Sequence, residues 1–137
     1  MMALAACSGA VQAATHIMHR DPNCGCCEAW ADHVRGKLQA EIAVQNSNDM
    51  HVVKDRHGVP DNLRSCHTMT FEGYVIEGHV PAEDIARLLR DKPAGVTGLA
   101  VAGMPLGSPG MEVGEQKQAY QVLAFGPSGQ SIFNSYN

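Results

Sequence analysis

Three cysteines within four residues, Cys24-Gly25-Cys26-Cys27, constrain this chain more than anything else in it. A packed core has no need of adjacent thiols, whereas soft-metal and disulfide chemistry often does. The flanking pattern locates them. His16-Ile17-Met18-His19 alternates polar and apolar as a short strand does, and Asp21-Pro22-Asn23 breaks it. Cys27, Trp30, Ala31, Val34 and Leu38 then recur at helical spacing as one apolar stripe, with Glu28, Asp32 and Arg35 on the wet face. The cluster is therefore expected in a strand-to-helix turn and the first helical turn. Free N–H groups and the helix dipole there favour thiolate over thiol.

The rest of the pattern extends this start into an α/β domain. Ile42 to Val44 reads as a second strand, and Asn46 to Asp49 supplies N-cap candidates for a helix through about His57, ended by Gly58 and Pro60. Thr68 to Phe71 and Tyr74 to Ile76 flank Glu72-Gly73 as a hairpin. Pro81 opens a helix with Glu83 and Asp84 in its first turn and Arg87, Arg90 and Lys92 in its last, complementing the dipole; Pro93 stops it. The order β-α-β-α-β-β-α, with a thiol turn after the first strand, is the thioredoxin-like arrangement. We place this domain at residues 15–93 and a Gly/Pro/Met-rich C-terminal extension at 94–137. In the extension, Tyr120 to Phe125 and Ser131 to Phe133 flank Gly126-Pro127-Ser128-Gly129 as a final β-hairpin.

Charge and composition exclude some partners. A net charge of −4 without a basic run argues against nucleic acid, and 5% aromatic residues leave few stacking platforms. The first residues, 1–14, are small and apolar and read as a signal-peptide remnant or lipoprotein leader, although no basic residue precedes Arg20. Leu4-Ala5-Ala6-Cys7 resembles a lipoprotein box, in which Cys7 would carry lipid. Both readings imply export, into a compartment that permits disulfides.

The candidate ligands are soft or borderline donors. Cys24 and Cys27 satisfy C-x-x-C and could act as a dithiol switch, with a structural disulfide as the plainer alternative. Cys26 is surplus to either. Three crowded thiolates repel one another, and cations would relieve the repulsion. Adjacent cysteines chelate one ion poorly but can bridge neighbouring ions, so more than one Cu(I) is expected here. Cys66-His67-Thr68-Met69 adds three donors just before the third strand. Cys66 is a candidate to ligate metal or to resolve a disulfide. Strand alternation is expected to send one of His67 and Met69 to the core and the other away. Met104 and Met111, in the glycine-rich loop, could fold over the thiol turn and offer thioether sulfur. Among other histidines, His19 lies nearest the cluster in sequence, while His33, His51, His57 and His79 read as surface residues. No second C-x-x-C pairs with the first, so the pattern is not that of a typical structural zinc site, although Cys66 and His67 leave zinc open as an alternative.

The motif from His19 to Cys27, the stretch Gly78-His79-Val80-Pro81-Ala82-Glu83-Asp84-Ile85 and the loop from Gly103 to Glu112 resemble those of CopG-type proteins, the CxCC proteins of bacterial copper-resistance clusters. The resemblance covers about residues 15 to 126. It implies a thioredoxin-like domain with a metal-binding extension, a periplasmic location, and a copper cluster bridged by cysteine sulfur. It also implies an oxidoreductase interconverting Cu(I) and Cu(II). Carried onto this chain, the implied metal ligands are Cys24, Cys26, Cys27 and Cys66, capped by Met104 or Met111, with Cys24, Cys27 and Cys66 as the redox-active thiols. Expected partners are copper ions, with copper-efflux components or periplasmic electron donors as further candidates, around a monomer. A copper buffer or chaperone without turnover would need the same ligands. A metal-free thiol–disulfide oxidoreductase would need only Cys24 and Cys27.

Overall fold

The structure, a computed structural model, describes residues 16–137; the expected leader and Cys7 lie outside the described residues. The expected order of the first seven elements is present. Strand β1 (His16–Arg20) leads into helix α1 (Gly25–Leu38), then β2 (Ile42–Asn46) and α2 (Met50–Arg56). A 3₁₀ turn at Asp61–Leu63 precedes the hairpin of β3 (His67–Phe71) and β4 (Tyr74–Glu77), followed by α3 (Ala82–Asp91).

Local chemistry accounts for these boundaries. The Asp49 carboxylate accepts the Val52 N–H at 3.2 Å and caps α2, satisfying one of the donors a helix start leaves free. Ahead of α1, the Asn23 N–H donates to the Asp21 carboxylate at 2.8 Å, and the Cys24 N–H to the Asp21 carbonyl at 3.0 Å. This Asx-type turn sets the chain direction into the helix.

The seven strands form one sheet in the order β2-β1-β3-β4-β5-β6-β7. β1 and β2 are parallel, β3 runs antiparallel to β1, and β4 is antiparallel to β3. Residues 94–137 do not fold apart from this sheet. They add β5 (Gly98–Ala100), parallel to β4 across the α3 crossover, and then the hairpin of β6 (Tyr120–Gly126) and β7 (Gly129–Tyr136). β5 was not anticipated: three residues, one of them a glycine, carry no periodic signal. β7 is longer than expected because its exposed outer part alternates only weakly.

The main core lies between one face of the sheet and helices α1 and α3. The α1 stripe is buried as expected through Cys27, Trp30, Ala31 and Val34, against Met18, Met69, Ile76, Ile85, Leu88 and Leu99. Strand alternation divides the later strands between two cores. Ile76, Leu99, Val122 and Ala124 join the main core, while Val75, Ala100, Leu123 and Phe125 face a smaller cluster around Leu63.

Candidate metal centre

Cys24 occupies the N-cap of α1 in an extended conformation, and Arg20 donates to its carbonyl at 2.8 Å. Cys26 and Cys27 follow in the first turn. Cys24 and Cys27 are joined as a disulfide, and Cys26 and Cys66 are free thiols. The sulfurs of Cys24, Cys26, Cys27 and Cys66 all lie within 4.8 Å of one another. Residues some forty positions apart in sequence thus share one basin, because β1 and β3 are neighbours in the sheet and present the α1 start and the β3 start at the same end.

Cys66 sits in a bend before β3. The Ser65 N–H ahead of it donates to the Glu77 carboxylate at 2.8 Å. That carboxylate is fully buried, ion-paired to the nearly buried Lys54 at 2.5 Å, and accepts the Thr68 hydroxyl at 2.6 Å. Burial pushes the Cys66 thiol up to about 12; nearby Cys26 adds to the shift, and the Ser65 hydroxyl opposes it. Without a metal, this sulfur is held as a thiol.

Two imidazoles back the cysteine. His67 Nδ1 lies 3.3 Å and His79 Nε2 3.1 Å from Cys66 Sγ. Cys66, His67 and His79 form a second set of donors within 4.8 Å of each other. The Pro109 carbonyl fixes the His79 tautomer. It can only accept, so His79 Nδ1, 2.6 Å away, carries the proton and donates. Nε2 is left with its lone pair toward the sulfur, the arrangement that orients an imidazole as a ligand. His67 is wholly buried against the Trp30 ring, and its Nε2 has no hydrogen-bond partner.

His79 was expected at the surface and is fully buried. The reason is non-local. Gly78 has φ +72°, and a Cβ there would meet the Val101 carbonyl at 2.5 Å and the Ser65 side chain at 2.7 Å. Only glycine lets this turn tuck beneath the Cys66 bend. The sole sequence hint was a Gly-His pair just before a helix.

The expectation for His67 and Met69 also needs correction. Residues two apart on a strand share a face, and both are fully buried. His67, at the strand end, reaches the cysteine. Met69, further along, packs among the core apolar side chains with Met18 and Ile76.

The glycine-rich loop does fold over the thiol turn. A Cβ on Gly110 (φ +86°) would lie 2.8 Å from the Cys26 carbonyl and 2.9 Å from the Trp30 nitrogen, so the loop backbone rests on the start of α1. The Ser65 hydroxyl donates to the Gly103 carbonyl. Met104 is the loop methionine whose sulfur approaches a cysteine, 3.9 Å from Cys26, while about half of the residue stays exposed. Met111 closes the loop through its backbone: its N–H donates to Ser108, and its carbonyl accepts the Gly107 N–H. His19 stands beside His57 on another part of the surface, with ring centroids 5.9 Å apart. His33 accepts the Ala82 N–H at 3.2 Å, at the start of α3.

Burial lowers the basicity of five imidazoles: His19, His33, His57, His79 and, well below its usual value, His67. In the unfolded chain each returns to about 6.5. Below that pH the unfolded chain takes up protons that the folded chain refuses. The stability these groups supply is complete above about 6.5 and is lost as pH falls toward the lowered folded values. The urea midpoint of the metal-free protein is therefore expected to drop between pH 7.5 and 5, and less steeply in His67→Leu. A midpoint constant over that range would contradict the burial argument.

Fold and site together define a mixed α/β domain carrying a centre of thiols, a disulfide, a thioether and neutral imidazoles that could hold a metal ion. Two solved structures are similar over nearly the whole chain. One, described as "Copper resistance protein copG- Form 2", is 42% identical, covers 92% of this chain and 100% of its own, and has a TM-score of 0.84. The other, "Copper resistance protein copG- Form 1", is 43% identical over 91% of this chain and 98% of its own, with a TM-score of 0.83. The chain belongs to the CopG family of copper resistance proteins. A family model described as "Protein of unknown function, DUF411" matches residues 63–111, the span holding Cys66, His67, His79 and Met104. No curated protein matches the chain.

Proposed function

We propose that this protein binds copper in the periplasm in support of copper resistance, and that it interconverts Cu(I) and Cu(II) as an oxidoreductase. The observation that carries the reading is the meeting of four cysteine sulfurs, the Met104 thioether and the His79 and His67 nitrogens at one spot. This donor set fits copper. Thiolate and thioether favour Cu(I), and imidazole serves either oxidation state. Reduced, the site offers four thiols, enough to bridge more than one Cu(I). With Cys24–Cys27 closed it offers two.

Copper is the substrate in this scheme. Two Cu(II) ions each take one electron from the Cys24/Cys27 dithiol; the S–S bond forms and two protons leave. In reverse, two Cu(I) ions return two electrons, and the bond opens as two protons are taken up. Turnover then needs an external thiol donor or electron acceptor. Cys24, half-buried, is the sulfur such a partner would reach, since Cys27 is fully buried.

Anaerobic titration of the reduced protein against a Cu(I) chelator tests the binding. More than one tightly held Cu(I) per chain is expected. A ratio of one or below would overturn the multicopper reading, and failure to compete with the chelator would overturn the copper reading itself. Adding Cu(II) to the metal-free, reduced protein should consume thiols in step with the Cu(I) formed.

The closed C-x-x-C disulfide at a helix start favours a second reading, a metal-free thiol–disulfide oxidoreductase. In that case Cys26→Ser would keep full activity toward protein disulfides while losing copper.

A further inference from the structure

Cys24 and Cys27 consume each other, which leaves Cys26 and Cys66 as the free thiols among the described residues. We infer that these two form a second thiol/disulfide couple, so that the basin can store four electrons rather than two.

The placement makes this pairing available. The Cys26 and Cys66 sulfurs lie within 4.8 Å of each other, and a disulfide bond is about 2.05 Å long, so they close by at most about 2.8 Å. Cys66 sits in a bend outside any strand, and Cys26 in the first turn of α1, so side-chain rotation and a small shift of the bend suffice. Other pairings compete poorly. Cys24 Sγ is 3.5 Å from Cys26 Sγ but is already bonded to Cys27. A bond between the adjacent Cys26 and Cys27 requires an awkward small ring. Both free thiols are only partly buried, so an oxidant has a way in.

As the second bond closes, two thiols lose two protons and two electrons. The electrons pass to an acceptor disulfide, which splits into two thiols, or to two Cu(II) ions, which become Cu(I). Closure has a consequence that rests on the copper reading. It removes the last two cysteine donors, leaving Met104 and the imidazoles. The fully oxidised basin would then release the Cu(I) that the reduced basin holds.

The pairing itself is testable without metal, so its failure would leave the copper reading untouched. The full chain with Cys7→Ser, purified with the first disulfide closed, carries two free thiols. It is treated with excess oxidised glutathione, and thiols are counted by alkylation. Trypsin cuts after Arg20, Arg35, Arg64 and Arg87, which puts Cys26 in peptide 21–35 and Cys66 in peptide 65–87. The expected result is loss of both thiols and a disulfide link between these two peptides. A variant that also carries Cys24→Ser and Cys27→Ser should give the same link, which assigns it to Cys26 and Cys66. Two thiols remaining, or stable glutathione adducts on separate peptides, would overturn the inference. If the variant does not fold, fragmentation of the linked peptides from the two-thiol parent decides, by placing the bond on Cys26 or on Cys24 or Cys27, and a bond on either of the latter would overturn the inference.

Discussion

Cys66→Ser is expected to weaken Cu(I) binding by more than the roughly 10- to 100-fold that loss of an outer-shell partner costs a metal site. Cys66 is the residue common to both donor sets, the four-sulfur group and the group with His67 and His79. Removing its sulfur disconnects the imidazoles from the other cysteines, and a serine hydroxyl is too hard a donor to replace thiolate for Cu(I). Competition with a Cu(I) chelator under anaerobic conditions measures the change. Met69→Leu is the control. Its sulfur packs in the main core, so affinity should stay within a few-fold of wild type. An unchanged affinity in Cys66→Ser would remove Cys66 from the ligand set and leave the CxCC turn to bind copper alone.

Lys54→Met should cost about 3–5 kcal/mol of folding stability, the usual penalty for leaving one member of a buried ion pair without its partner. Lys54 is 4% exposed and Glu77 0%. The Glu77 carboxylate also accepts from the Ser65 N–H and the Thr68 hydroxyl, so it has no way to turn toward water without abandoning both. Adding Glu77→Gln removes the stranded charge and keeps an acceptor for Ser65. The double variant is therefore expected to recover part of the loss, a coupling that urea unfolding of the two single variants and the double resolves. A loss below about 1 kcal/mol in Lys54→Met would mean that the pair behaves like an exposed salt bridge. Because Ser65 precedes Cys66, the same variant should also speed Cys66 alkylation, reporting a loosened bend. The pair thus links fold stability to the position of the cysteine shared by the two candidate donor sets.

Much of this protein was legible in its residues because the relevant physics is local. Helical spacing from Cys27 to Leu38, the Asp21-Pro22-Asn23 breaker and the prolines around α3 act within a few positions of themselves. They suffice to put three cysteines at a helix start and to order the first seven elements. Composition and spacing also identified soft donors, and the resemblance named the family. Single short strands carry less information. β5 forms because β4 and β6 offer it backbone partners, which its own three residues do not announce.

The membership of the site was decided elsewhere. His79 becomes a buried donor because Gly78 turns at positive φ against Val101 and Ser65, and because Pro109, thirty positions on, holds its Nδ1 proton. Met104 approaches Cys26, while Met111 closes its own loop. Met69 goes to the core and His67 to the cysteine although they share a face, because only His67 lies at the strand end beside the Cys66 bend. The sequence by itself therefore determined the thiol turn, its helix and the soft character of its donors. Tertiary structure alone decided which distant donors complete it, since that choice depends on backbone carbonyls and glycine turns brought together by the sheet, which no local pattern encodes.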